Sequence, residues 1–163
     1  MTLVKTFLNT GRKHAQKTAV IDQSGEVTFG NLLQEAKDFT AQLLSEDTGS
    51  NIGILLPNCK EFVAAFYGIL MAGKTPVPLN YLLSPTQLLY VIQNADINTV
   101  FTNNLFKPQI KNQIRHTFSI EEKHSYASLE ESKIRQGDAE DMAALLYTSG
   151  TNANPKGVIL THK

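Results

Sequence analysis

The sequence predicts an α/β domain with a largely parallel sheet flanked by helices. Two observations carry that expectation. Short, continuously apolar runs such as Ile52-Gly53-Ile54-Leu55-Leu56 read as buried strands. They alternate with segments whose apolar residues recur at helical spacing, as Leu32, Leu33, Ala36, Phe39, Leu43 and Leu44 do. Such alternation is the pattern of α/β proteins. At 163 residues the chain is long enough for one compact domain with a core.

The elements follow in order. Leu3, Val4, Phe7 and Leu8 give a surface helix within Met1 to Ala15. Ala19–Ile21 is a short strand that turns at Ser24-Gly25, and Val27–Phe29 follows. Thr28 or Asn31 can cap the next helix, which ends before Gly49-Ser50. The strand Ile52–Leu56 stops at Pro57-Asn58, and Asn58 is placed to cap a helix from Lys60 to Ala72. Gly73 stands where a helix-ending glycine is expected. Thr75–Leu79 is extended. Ser84-Pro85-Thr86-Gln87 is a capping box with proline at the first helical position, opening a helix to about Asn94. Thr99–Thr102 is a strand, Pro108–Arg115 a short helix and Phe118–Ile120 a strand. Glu121–Glu140 is polar with little pattern and reads as loop and surface. Met142–Tyr147 and Val158–Leu160 read as two buried strands.

Composition bounds the function. The chain is 42% apolar and 18% charged, as soluble globular proteins are. Fifteen basic and fifteen acidic residues cancel, so no global field draws it to nucleic acid or an anionic membrane. The longest apolar run, Phe62–Gly73, is shorter than the ~20 residues of a membrane span. The single cysteine, Cys59, excludes an internal disulfide and suggests a reducing compartment, which with the lack of a secretory signal favours the cytoplasm. His14, His116, His124 and His162 show no metal-ligand spacing.

The most informative stretch runs from Tyr147 to Val158. Thr148, Ser149, Gly150, Thr151, Asn152, Ala153, Lys156 and Gly157 bring hydroxyls, glycines and an ammonium into a short loop between two apolar runs. Backbone N–H groups, hydroxyls and one lysine can converge there on an anion, and glycine allows the backbone to approach closely. That chemistry suits a polyphosphate.

This stretch resembles the phosphate-binding signature of the adenylate-forming enzymes, which include acyl-CoA synthetases, luciferases and peptide-synthetase adenylation domains. Their pattern is Tyr/Phe-Thr-Ser-Gly-Thr-Thr-Gly-x-Pro-Lys-Gly-Val, followed closely by Ser/Thr-His. Tyr147 to Thr151, Pro155 to Val158 and Thr161-His162 match it. Asn152 stands where the family has Thr, and Ala153 where it has Gly. Upstream, Thr28-Phe29 with Leu32, Leu56-Pro57-Asn58, Phe66 to Gly73 and Val77-Pro78-Leu79-Asn80 are similar to family segments in the same order. Almost the whole chain is covered.

The resemblance implies an ATP-dependent acyl-CoA synthetase activity. A carboxylate, a fatty acid in the favoured reading, would become an acyl-adenylate and then pass to the thiol of coenzyme A. The Thr148–Lys156 loop would hold the ATP phosphates, and Mg2+ would be held by residues outside this chain. The expectation for residues 1–163 is a single incomplete N-terminal AMP-binding subdomain, without catalytic residues of its own and inactive alone. The alternative is a truncated or degenerate relative acting as a binding or interaction module. Nucleic acid is not an expected partner; peripheral membrane contact stays open.

Gly68 to Thr75 satisfies the phosphate-loop pattern of P-loop NTPases, G-x-x-x-x-G-K-T. The order of elements is wrong, since a helix precedes it and Pro76 and Pro78 follow. Lys74 is therefore read as closing a helix, favourably for the dipole. Lys107, Lys111 and Arg115 form a four-residue stripe that could hold a phosphate or lipid headgroup, or be a solvated face opposite Ile110 and Ile114, the favoured reading. Cys59 is read as structural, and so is His162.

Overall fold

The structure, a computed structural model, describes residues 1–122, 129–148 and 155–163. Its centre is a parallel sheet of four strands in the order β4-β3-β5-β6. These are β3 (Asn51–Leu55), β4 (Thr75–Pro78), β5 (Thr99–Thr102) and β6 (His116–Ser119). The central strands β3 and β5 are buried at every position but Asn51, because both faces are covered. Ile52, Ile54, Leu55, Val100 and Phe101 are fully buried.

Helices cover the sheet. Helix α1 (Leu3–Lys13) is capped by Thr2, whose hydroxyl accepts the Lys5 N–H, and it buries Val4, Phe7 and Leu8. A hairpin of β1 (Thr18–Asp22) and β2 (Gly25–Thr28) follows. Thr28, not Asn31, caps α2 (Phe29–Leu44). Helix α3 (Lys60–Met71) ends at Gly73, whose φ of 73° only glycine adopts freely. The capping box at Ser84 opens α4 (Pro85–Asn94) as expected.

Helices α2 and α3 approach closely at Gly68, where a Cβ would lie 2.8 Å from the Ala36 carbonyl oxygen. Thr40 sits at the same crossing and donates to the carbonyls of Ala36 (2.8 Å) and Gly68 (3.0 Å).

Two expectations are corrected. Asn58 does not cap α3; the cap position is Cys59, with no side-chain bond of its own. Helix α5 is only Lys107–Ile110, so Lys107, Lys111 and Arg115 do not share a helical stripe. Lys107 instead pairs with Glu122 at 2.9 Å and Arg115 with Asp47 at 3.5 Å. The described part of the polar stretch, from residue 129, is mostly exposed loop, as expected, and it is tied to the helices at a few points. Ile134 is buried against α1–α3, the Arg135 N–H donates to the Met71 carbonyl (2.8 Å), and Thr2 donates to the Gln136 carbonyl (2.7 Å).

Strand β4 explains what comes next. The N–H groups of Thr75 and Leu79 donate to the carbonyls of Ser50, just before β3, and of Ile54 within it, both at 2.9 Å. Strand alternation therefore turns Pro76 and Pro78 to the outer edge, where they offer no donor. The final hairpin, β7 (Met142–Thr148) and β8 (Lys156–Thr161), lies beside β4 but forms a two-stranded sheet of its own.

Candidate functional site

The hairpin carries the candidate phosphate loop. Strands β7 and β8 are antiparallel, with Thr148 opposite Lys156 and Tyr147 opposite Gly157. Thr148 and Lys156 are thus brought together across the mouth of the loop, both exposed. Among the described residues Lys156 pairs with no carboxylate, so its ammonium is available to an external anion. Ser149, Gly150, Thr151, Asn152 and Ala153 lie outside the described residues.

Gly157 has a geometric role. A Cβ there would come within 3.3 Å of Leu145 and of the Tyr147 ring. Tyr147 lies across the glycine and its hydroxyl donates to Asn94 Oδ1 at 2.6 Å. Burial pushes the Tyr147 phenol up, with Tyr90 adding to the shift, so it remains a donor. Leu145 and Tyr147 both pack on the apolar cluster of Leu88, Val91 and Ile92 from α4. Tyr147 and Asn94 were not among the expected site residues. Asn94 could not have been, because nothing in the sequence pairs it with a strand fifty residues on.

The other end of the hairpin is held by His162. Its Nδ1 accepts the N–H of Leu3 at 3.3 Å, one of the unpaired donors at the start of α1. That is the structural role expected of His162.

Strand β8 is not the buried strand its sequence suggested. All six of its residues are exposed, with Ile159 61% accessible. It is the outer edge of a two-stranded sheet, and no described element packs over it.

The rejected P-loop pattern is resolved by position. Gly68 lies inside α3, and the Lys74 ammonium donates to the Gly49 carbonyl, joining the end of α3 to the turn before β3. A buried crossing glycine and a lysine committed to a carbonyl leave no phosphate cradle. Cys59 is half-buried, and burial pushes its thiol up to about 11, so it is no ready nucleophile.

Comparison with known proteins bears on the family and the fold. The family model described as AMP-binding enzyme matches residues 7–163. The chain belongs to the AMP-binding enzyme family. It is 28% identical to a long-chain-fatty-acid–CoA ligase of Bacillus subtilis, over 99% of this chain and 37% of that protein. It is 30% identical to the mitochondrial malonate–CoA ligase of Xenopus laevis, over 91% of this chain and 28% of that protein. Among solved structures it resembles the o-succinylbenzoate CoA synthetase of Bacillus subtilis in complex with its acyl-adenylate intermediate. The TM-score is 0.85 at 26% identity, covering 99% of this chain and 42% of that one. An anthranilate CoA ligase in complex with anthranoyl-AMP gives a TM-score of 0.84 at 26% identity, covering 99% and 35%. The chain therefore spans about a third of the length of the curated relatives it matches. Among the described residues, no helix is long and apolar enough to cross a membrane.

Proposed function

We propose that this chain is the N-terminal, phosphate-binding part of an ATP-dependent acid–thiol ligase. In the full reaction a carboxylate oxygen attacks the α-phosphorus of ATP, the bond to the bridging oxygen breaks, and pyrophosphate leaves. A thiol sulfur, that of coenzyme A in the reading favoured here, then displaces AMP from the acyl carbon and loses its proton.

The observation that carries this reading is the pairing of Thr148 with Lys156 at the mouth of the loop. It fixes a hydroxyl and an ammonium on opposite strands, both open to solvent. Donors held at fixed positions stabilise charge that develops on leaving pyrophosphate without having to reorganise. Thr148, Ser149 and Thr151 are assigned hydroxyl donation, Gly150 and Gly157 the close path of the backbone, and Lys156 the neutralising charge, with Asn152 and Ala153 in the same nucleotide-binding set. No residue of this chain is assigned to bond making or breaking.

ATP carries Mg2+ as its counterion in this proposal. The ion is assigned to no residue of this chain. The substrate acid is left at the level of a carboxylate. The relatives named above act on long-chain fatty acids and on malonate, which differ too much to choose between.

The test is a titration of ATP into the 163-residue chain followed by amide NMR. Shifts centred on Thr148, Lys156 and Gly157, lost in Lys156→Ala, are expected. Shifts centred on Lys74, or none at all, would overturn the assignment.

A further inference from the structure

The hairpin that bears the loop is not laddered to the four-stranded sheet, because Pro76 and Pro78 leave the β4 edge without donors. Its placement must come from side chains. At the loop end, the side-chain hydrogen bond it makes with the body of the domain among the described residues is Tyr147–Asn94. We infer that Tyr147 and Asn94 are a positioning pair that holds the stem of the phosphate loop against helix α4. This rests on the assignment of that loop to the ATP phosphates.

The geometry forms a continuous path. Asn94 is the last residue of α4, whose own position is set by the buried Leu88, Val91 and Ile92 and by the capping box at Ser84. Its Oδ1 receives the Tyr147 hydroxyl at 2.6 Å. The Tyr147 ring then crosses to Gly157 on the other strand, where a Cβ would approach its Cζ to 3.3 Å. The Tyr147↔Gly157 pair is adjacent to Thr148↔Lys156, from which the loop departs. Both roots of the loop are thus referred to one fixed point on α4. Ring packing alone resists separation from α4 but not sliding along it. A hydrogen bond has direction, and it fixes that remaining freedom.

The experiment uses the whole 163-residue chain with inorganic tripolyphosphate as the probe. Tyr147→Phe keeps the ring and removes the hydroxyl; Asn94→Ala removes the acceptor. Each is expected to weaken tripolyphosphate binding about threefold to tenfold, the range of one neutral hydrogen bond. The double variant should be no weaker than either single, since both remove one interaction. A residue that merely supports the fold would lower the thermal midpoint without this pattern. Affinities unchanged in both singles, or losses that multiply in the double, would overturn the inference. Absence of tripolyphosphate binding by the wild type would instead sink the loop assignment. Amide exchange then decides for the pair: faster exchange at Lys156 and Gly157 in Tyr147→Phe supports it, and unchanged exchange refutes it.

Discussion

The Asp22 carboxylate caps helix α3 from the β1–β2 hairpin, its Oδ2 accepting the Lys60 N–H at 2.9 Å. The cap expected from Asn58 is supplied instead by a residue 38 positions from Lys60 in the chain. Asp22 Oδ1 also accepts the Ser24 hydroxyl (2.6 Å) and N–H (2.8 Å). One carboxylate therefore closes a turn and starts a helix.

These bonds set a pH dependence. The Ser24 hydroxyl foremost, then the Lys60 and Ser24 N–H groups, lower the Asp22 carboxyl from 3.8 to about 2. A carboxyl lowered in the folded state adds stability above its unfolded value and loses it as pH falls through its folded value. Between about pH 4 and about pH 2, wild type should therefore lose more stability than Asp22→Ala. Glu121 and Glu131 are shifted in the same direction, so both proteins keep a common acid slope. Urea midpoints across that range check it. Parallel curves would show that the cap contributes nothing to the folded state.

Gly68→Ala tests the α2–α3 crossing. The added methyl would meet the Ala36 carbonyl oxygen at 2.8 Å and the Phe39 Cβ at 2.9 Å, neither a flexible side-chain tip. Overpacking of this kind costs about 1–3 kcal/mol. Chemical denaturation should show that loss, with tripolyphosphate affinity retained at temperatures where the variant is folded. An unchanged midpoint would mean the two helices separate freely.

The sequence carried the fold where pattern is local. The apolar run at Ile52–Leu56, the capping box at Ser84 and the glycine at 73 each act within one turn or strand, and each stands as expected. What failed or went unread depends on distant partners. The Asp22 cap joins a hairpin to a helix. The strap through Ile134 has one buried apolar residue among charged neighbours, too few for any periodicity to register. Strand β8 reads as buried because Val158, Ile159 and Leu160 are apolar, yet burial needs a covering element, and strand sequence cannot say whether one is present. At the site, the residue types of the loop were legible. The Tyr147–Asn94 bond was not, since it links elements 53 positions apart.

The exposed β8 edge predicts self-association of this chain. A strand paired on one side only among the described residues, with Val158, Ile159 and Leu160 exposed, is a template for pairing with another chain. Ile159 is the most exposed of the three, and a charge there should block edge-to-edge contact. Sedimentation at rising concentration should show oligomers for wild type and monomers for Ile159→Lys. Monomeric wild type throughout would show that the edge is protected in solution.

The last prediction separates the two lysines that sequence patterns offered to phosphate. Lys74 is committed: its ammonium donates to the Gly49 carbonyl, and burial lowers its affinity for the proton. Lys156 is exposed at the mouth of the loop. Removing Lys74 should therefore act on the fold. A hydrogen bond from a charged donor is worth about 1.5–3 kcal/mol, and partial exposure places Lys74→Ala toward the lower end. Lys156→Ala should leave the denaturation midpoint nearly unchanged, because Lys156 is exposed and makes no side-chain ion pair with the described residues. Phosphate binding should show the reverse. Tripolyphosphate affinity should fall tenfold or more in Lys156→Ala, as expected when about 1.4 kcal/mol or more of ion pairing is lost. In Lys74→Ala it should stay within about twofold of wild type, a difference under about 0.5 kcal/mol. Calorimetric titration and urea denaturation of both variants read the two effects separately. A crossed result, with Lys74→Ala weakening phosphate and Lys156→Ala weakening the fold, would move the site to the end of α3.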